Sequence, residues 1–254
     1  MTPKAETKSN QLVDEISILF AGNKQLDPFT LARLKREAEK VVKVEPDYGY
    51  CILGMLACLE VDAEACKKNH ELSIKLSYDP AHDLIYRENY SRSLNYLGMS
   101  NEAYQEIKKA INLYENNPDL LELAINTAIE SGHSSDIYRY YEVLCKILPR
   151  NANNQIIDIL KVAGHFKESG INDDIASSLV KVADELVFKN KLRCGSRVFF
   201  TDESESANNI YCFIDVNADF SKVVEMNMDL CEKISKDHYF FDKNTFSISY
   251  RSWL

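Results

Sequence analysis

Glycine and proline are both scarce, eight and six in 254 residues, and no proline follows Pro149. That scarcity argues against long glycine-rich loops and polyproline linkers and favours helices joined by short turns. No run of eighteen apolar residues occurs, and the first ten residues, Met1 to Asn10, lack the apolar core of a signal peptide. Nothing in the sequence sends the chain across a membrane, and a cytoplasmic setting is expected. Positive charge is in deficit: 30 Lys and Arg stand against 39 Asp and Glu, a net charge of −9. Such a balance repels a phosphate backbone, so nucleic acid is not the expected partner. The one basic run, Arg33-Leu34-Lys35-Arg36 with Lys40 and Lys43, is interleaved with Glu37, Glu39 and Glu45, as a solvated helix face would be. Seven cysteines are an odd set in a chain too large to need covalent staples. They read as reduced, buried thiols.

What is present is a 45% hydrophobic composition, enough to bury a sizeable core, arranged with helical periodicity. Residues 11 to 21 form an amphipathic stretch stopped by Gly22-Asn23. Asp27 then offers an N-cap with Pro28 in the first helical position, and Phe29, Leu31, Leu34, Ala38, Val41 and Val42 make an apolar stripe. Beyond it the pattern recurs. Pro46 and Pro80 lie 34 residues apart, as do Gly98 and Gly132. Ala103, Ile107 and Ala110 fall 34 residues before Ile137, Tyr141 and Leu144. Ser131-Gly132-His133-Ser134-Ser135-Asp136-Ile137 is echoed 38 residues later by Ser169-Gly170-Ile171-Asn172-Asp173-Asp174-Ile175. In physical terms a helix ends at a glycine able to take positive φ, and an acidic residue opens the next helix.

These residues resemble the tetratricopeptide repeat, a helix-turn-helix unit with small residues where paired helices touch. The best match is Tyr90 to Pro118, with Leu97-Gly98-Met99-Ser100-Asn101-Glu102-Ala103-Tyr104 as turn and second-helix start and Ala110 at the next small position. Leu123 to Pro149 repeats the plan. Asp47 to Pro80, with Gly54, Cys66 and Ser73 at the small positions, and Asn153 to Phe188 depart further from it. The resemblance implies a mainly α fold, an array of helix pairs (an α-solenoid) over residues 47–190. N-terminal helices over 1–46 precede it.

From about residue 191 the texture changes. Cys194 to Phe200 and Ile210 to Val216 are rich in aromatic and β-branched residues on either side of a polar segment, which predicts a hairpin. A helical pattern over Asp219 to Lys236 and an alternating one over Thr245 to Tyr250 complete an expected β-β-α-β module over residues 191–254.

The sequence carries no glycine-rich phosphate loop, nucleophile elbow, His-Glu-x-x-His or Cys-x-x-Cys motif. Ser131, His133 and Asp136 crowd together, but triad members converge from distant sequence, and turn and capping roles account for them. Cys66 and His70, one helical turn apart, with Cys58 nearby, read as buried packing rather than metal ligands. No catalytic residue, cofactor or metal is expected. The site expected instead is a concave groove lined by the first helix of each pair, with Glu88, Arg92, Asn95 and Tyr96, then Glu122, Asn126 and Glu130, then Leu160 and Lys167 facing the partner. Arg92 and Tyr96 rank first, because Arg and Tyr dominate interface energetics. Some repeat proteins of this kind grip acidic C-terminal tails with a clamp lysine. Here Glu88 and Glu122 occupy the matching places, which suggests a basic or mixed protein partner. Two narrower readings accompany this one. The chain could be an immunity protein or antitoxin neutralising a basic toxin, or an enzyme using Arg193, Arg197, Asp202, Glu203, Asp215 or His238, with Arg197 and Asp215 otherwise expected as a cross-strand pair.

Overall fold

The computed structural model describes residues 8–21, 27–148, 154–204, 207–237 and 246–253; Gly22, Asn23, Pro149 and His238 lie outside them. Among the described residues the protein is mainly helical, with eleven helices and one small sheet of three strands near its C-terminal end. The chain divides into two compact units, residues 1–94 and 95–254.

The first unit holds α1 (Lys8–Ala21), α2 (Pro28–Val42), α3 (Pro46–Leu59), α4 (Ala63–Leu76) and the body of α5 (Pro80–Tyr96). The expected start of α2 is present: the Asp27 carboxylate accepts the Thr30 amide at 2.9 Å, ahead of Pro28. Asp62 caps α4 in the same way, accepting the Ala65 amide at 3.0 Å. α3 is buried on nearly every side and forms the core of the unit. Gly54, Cys66 and Ser73, read as small contact positions, are all buried. At Gly54 the reason is visible, since a Cβ there would lie 2.6 Å from the His70 ring.

The second unit contains α6 (Ser100–Leu113), α7 (Pro118–Glu130), α8 (Ser135–Ile147), α9 (Asn154–Glu168), α10 (Asp173–Lys189), β1 (Cys194–Ser204), β2 (Ala207–Val216), α11 (Phe220–Asp237) and β3 (Phe246–Ser252). The turns before α6, α8 and α10 each contain the expected glycine at positive φ: Gly98 at 70°, Gly132 at 80° and Gly170 at 69°. Within α8 the buried residues are Ile137, Tyr140 and Leu144. Tyr140 thus replaces the expected Tyr141, because burial follows the i, i+3, i+7 face.

α10 organises this unit. The residues before α6 and α8, Met99 and Ser134, give their helices no side-chain cap. The caps come from α10 instead. Asp184 accepts the Ser100 amide at 3.0 Å, and Asp173 accepts the Ser135 amide at 3.1 Å. Both serine hydroxyls donate to the same carboxylates. Eleven residues are three helical turns, so Asp173 and Asp184 share one side of α10. The same side meets both glycine turns, with Ala176 and Ser177 against Gly132 and Val187 against Gly98.

The sheet has the order β1-β2-β3, with β1 antiparallel and β3 parallel to the central β2, and α11 supplies the crossover a parallel pair requires. This is the expected β-β-α-β arrangement. α9 reaches the sheet through Phe166 and Phe246, whose rings lie 5.0 Å apart, and α10 through the Ala183 carbonyl, which accepts the Tyr250 hydroxyl at 2.6 Å. Asn227 of α11 holds the backbone of edge strand β3 at Tyr250 with a pair of hydrogen bonds of 2.8 and 3.1 Å.

Candidate functional site

α7 is apolar and buried except along one line. Leu120, Leu121, Leu123 to Ile125 and Thr127 to Ile129 are buried, whereas Glu122, Asn126 and Glu130, spaced four apart, keep partial exposure. Spacing of four puts their side chains on one face. The Asn126 carboxamide donates to the Glu122 carbonyl at 2.8 Å and accepts from Gln155 of α9 at 2.8 Å. At the other end Asn95 donates to the Glu130 carboxylate at 2.9 Å. Glu122, Asn126 and Glu130 therefore share one face of α7, with Asn95 bonded to its Glu130 end. Tyr96 turns away to pack against Trp253, with ring centroids 6.2 Å apart. Glu88 and Arg92 stand on the part of α5 that belongs to the first unit, the former half-buried and the latter exposed. Leu160 is half-buried and gives its carbonyl to the Tyr138 hydroxyl at 3.2 Å, and Lys167 is exposed.

The Ser131–Asp136 cluster has the geometry of a turn. The Ser131 hydroxyl donates to the Thr127 carbonyl at 2.8 Å, at the end of α7, and its oxygen sits 3.0 Å from His133 Nδ1. Its proton is thus engaged with a main-chain carbonyl rather than with the histidine. The His133 ring stacks on Tyr104, with centroids 4.5 Å apart. Asp136 is bound elsewhere, accepting from the Tyr104 hydroxyl and pairing with Lys108 at 3.2 Å and Arg139 at 3.0 Å. Burial alone would raise the Asp136 pKa, but the hydrogen bonds from Tyr104 and Lys108 and the charge of Arg139 outweigh it and lower it.

Burial of His133 disfavours its cationic form and lowers its pKa from 6.5. The folded state then binds fewer protons than the unfolded state, so the stabilisation it contributes is present above the unfolded pKa and is lost as pH falls toward the folded value. His133→Phe keeps the stack on Tyr104 without the titration. Urea unfolding at pH 7 and pH 5 is expected to show a smaller loss of stability in this variant than in the parent. Equal losses would remove His133 from the acid response.

Cys58, Cys66 and His70 are fully buried in the first unit. His70 Nε2 lies 3.0 Å from the Ser93 hydroxyl and the ring stacks on Tyr90 at 5.1 Å, while the Cys58 thiol donates to the Ser93 carbonyl at 3.2 Å. Hydrogen bonding with Cys58, joined by His70, outweighs burial and brings the Cys66 thiol down to about 6. Among the described residues no group of three or more His, Cys, Asp or Glu is arranged to hold a metal ion.

Comparison of the chain with protein-family models, with curated proteins and with solved structures finds no match. Geometry alone therefore bears on function. No helix among the described residues is long and apolar enough to cross a membrane.

In the C-terminal module the expected cross-strand pair of Arg197 and Asp215 is not formed. The register sets Arg197 opposite Ile214, so Asp215 points to the other face, where it pairs with Arg251 of β3 at 2.9 Å. Arg197 instead pairs with Asp184 of α10, their side chains 2% and 8% exposed, and donates to the Glu130 carbonyl at 3.2 Å. Burial would draw the proton from Arg197, but the Asp184 carboxylate more than reverses this and raises its pKa. Beside this pair Cys194 and Cys212 are pushed up to about 12 by burial and stay protonated thiols. Asp202 is exposed. Glu203 and His238 have no described side chain.

Two groups lie outside the expected groove: Arg193 before β1, which the sequence reading named only for the enzyme alternative, and Trp253 after β3, which it did not name. Both flank Tyr96, with the Arg193 guanidinium carbon 5.7 Å from the Tyr96 ring and 5.9 Å from the Trp253 ring. Only the folded sheet brings them together. The one available hint was that Trp253 is the sole tryptophan.

Proposed function

We propose that the chain is a partner-binding protein of the tetratricopeptide-like kind, an adaptor or regulator that receives a peptide or protein on the face carried by α7 and the end of α5. The observation that carries this reading is the α7 stripe. Beyond its first turn the helix is buried except for Glu122, Asn126 and Glu130 in line, and hydrogen bonds from Gln155 to Asn126 and from Asn95 to Glu130 hold two of the three in place. Pre-ordered polar groups on a helix lose little side-chain entropy on contact, which is what a recognition surface needs. Helix pairs turned at Gly98, Gly132 and Gly170 support the repeat reading of the array. The two glutamates and the net charge of −9 favour a partner with basic side chains, and capture would be accelerated by long-range attraction. The same charge is what an inhibitor of a basic toxin would use, so the identity of the partner separates the adaptor from the inhibitor.

The test is retention of a partner from native extract, followed by binary binding with the purified partner. A Glu122→Lys, Glu130→Gln variant reverses one charge and removes another while leaving the Asn95 hydrogen bond possible. Affinity is expected to fall at least tenfold with helical content unchanged, as two rim charges of about 1 kcal/mol each would give. Undiminished binding by this folded variant would move the site off α7. Tyr96→Ala is a poor probe of the same surface, because it would also strip packing from Trp253 and Arg193.

A further inference from the structure

Arg193 is 6% exposed, and its guanidinium lies against the rings of both Tyr96 and Trp253, which also touch each other at 6.2 Å between centroids. Its position is fixed from both sides. Asn217 accepts the Arg193 amide through its side chain and donates its own amide to the Arg193 carbonyl at 3.2 Å. Trp253 is anchored by its amide on the Val216 carbonyl at 3.1 Å, and its ring occupies the space over Gly195, where a Cβ would lie 2.3 Å away. The other two arginines of the sheet have carboxylates, Asp184 for Arg197 and Asp215 for Arg251. Among the described residues Arg193 pairs with no carboxylate, and its guanidinium donates no hydrogen bond. A cation taken this far from water normally has an anion beside it, and two aromatic faces offset only part of that loss while leaving the planar edge of N–H donors unused. One residue before Tyr96, the buried Asn95 carboxamide oxygen also has no hydrogen-bond partner.

We propose that Arg193 is a docking point for a carboxylate of the partner, with Tyr96 and Trp253 as its walls. The fork of a guanidinium matches the two oxygens of a carboxylate. Phosphate has the same fit, but its second charge is opposed by the acidic chain as a whole. Asn95 adds an acceptor for an N–H next to that carboxylate, the combination that a peptide presents. The inference rests on the reading that this face binds a partner.

Trp253 is the only tryptophan, so intrinsic emission reports on this site directly. The full chain is titrated with four probes: N-acetyl-trialanine with a free C-terminus, the same peptide as its amide, N-acetylglutamate amide, and inorganic phosphate. A saturable change with either carboxylate probe, absent with the neutral amide and weakened at least tenfold in Arg193→Gln, supports the site. Which carboxylate probe binds tells a chain terminus from an acidic side chain. Arg193→Lys keeps the charge without the fork and is expected to lose most of the response. It decides the matter if the Gln variant fails to fold. No response to the carboxylates, a stronger response to phosphate, an equal response to the amide, or binding unchanged in a folded Arg193 variant would overturn the proposal. These titrations need no partner protein, so their failure leaves the α7 retention experiment standing, and failed retention leaves them interpretable.

Discussion

Gly132→Ala is expected to destabilise the second unit by about 3 kcal/mol or more. Two costs combine. Gly132 has φ of 80°, where an L side chain is strained by roughly 1–2 kcal/mol. Its Cβ would also stand 2.6 Å from the Ala176 carbonyl carbon and the Ser177 amide nitrogen. Those atoms are main chain near the start of α10, so no rotamer change relieves the clash and the helix itself must shift. Gly170→Ala is the control. It has nearly the same backbone angle, 69°, and nothing within 4 Å of the new carbon. It is expected to cost only the conformational share, roughly 1–2 kcal/mol. Urea denaturation of the two variants therefore isolates the contact between α10 and the α7–α8 turn. Equal costs would mean that α10 does not press on this turn.

Arg197→Met is expected to cost about 3–5 kcal/mol, because it leaves the Asp184 carboxylate buried beside two protonated thiols without its cation. Met keeps the apolar stem of the side chain, so most of the loss belongs to the unpaired charge rather than to packing. Making Asp184 neutral as well tests this. The double variant Arg197→Met, Asp184→Asn retains a side-chain oxygen for the Ser100 amide while removing the stranded charge, and is expected to be more stable than Arg197→Met alone by at least about 1 kcal/mol. A double variant no better than the single one would assign the cost to packing.

The parts of the fold legible in the sequence were those set by a few adjacent residues. Asp27-Pro28 announced a helix start, three glycines marked the turns, and the aromatic, β-branched runs at 194–200 and 210–216 predicted the hairpin. The α7 stripe was legible for the same reason, since four-residue spacing alone places Glu122, Asn126 and Glu130 on one face. What stayed hidden was long-range partnership. Asp184 meets Ser100 across 84 residues, and no spacing rule reports that. Arg197 was matched to Asp215 because both flank the hairpin, yet a one-residue offset in register sends the two side chains to opposite faces. Arg193, Tyr96 and Trp253 come from three separate elements, and only their assembly shows that Arg193 has aromatic neighbours and no carboxylate.

The two trans caps on α10 also govern how the second unit can be divided. Asp173 and Asp184 close the free amides of α8 and α6, and Asp184 is in turn neutralised by Arg197 of β1. Helix pairs and sheet are thus interlocked through a single carboxylate. A fragment ending with α10 would carry that carboxylate into its core without a counter-ion, so the sheet is not a detachable module. The natural experiment in dissecting this protein is to keep residues 95–254 whole. Recombination or grafting that exchanges the sheet would have to bring a cation for Asp184 with it.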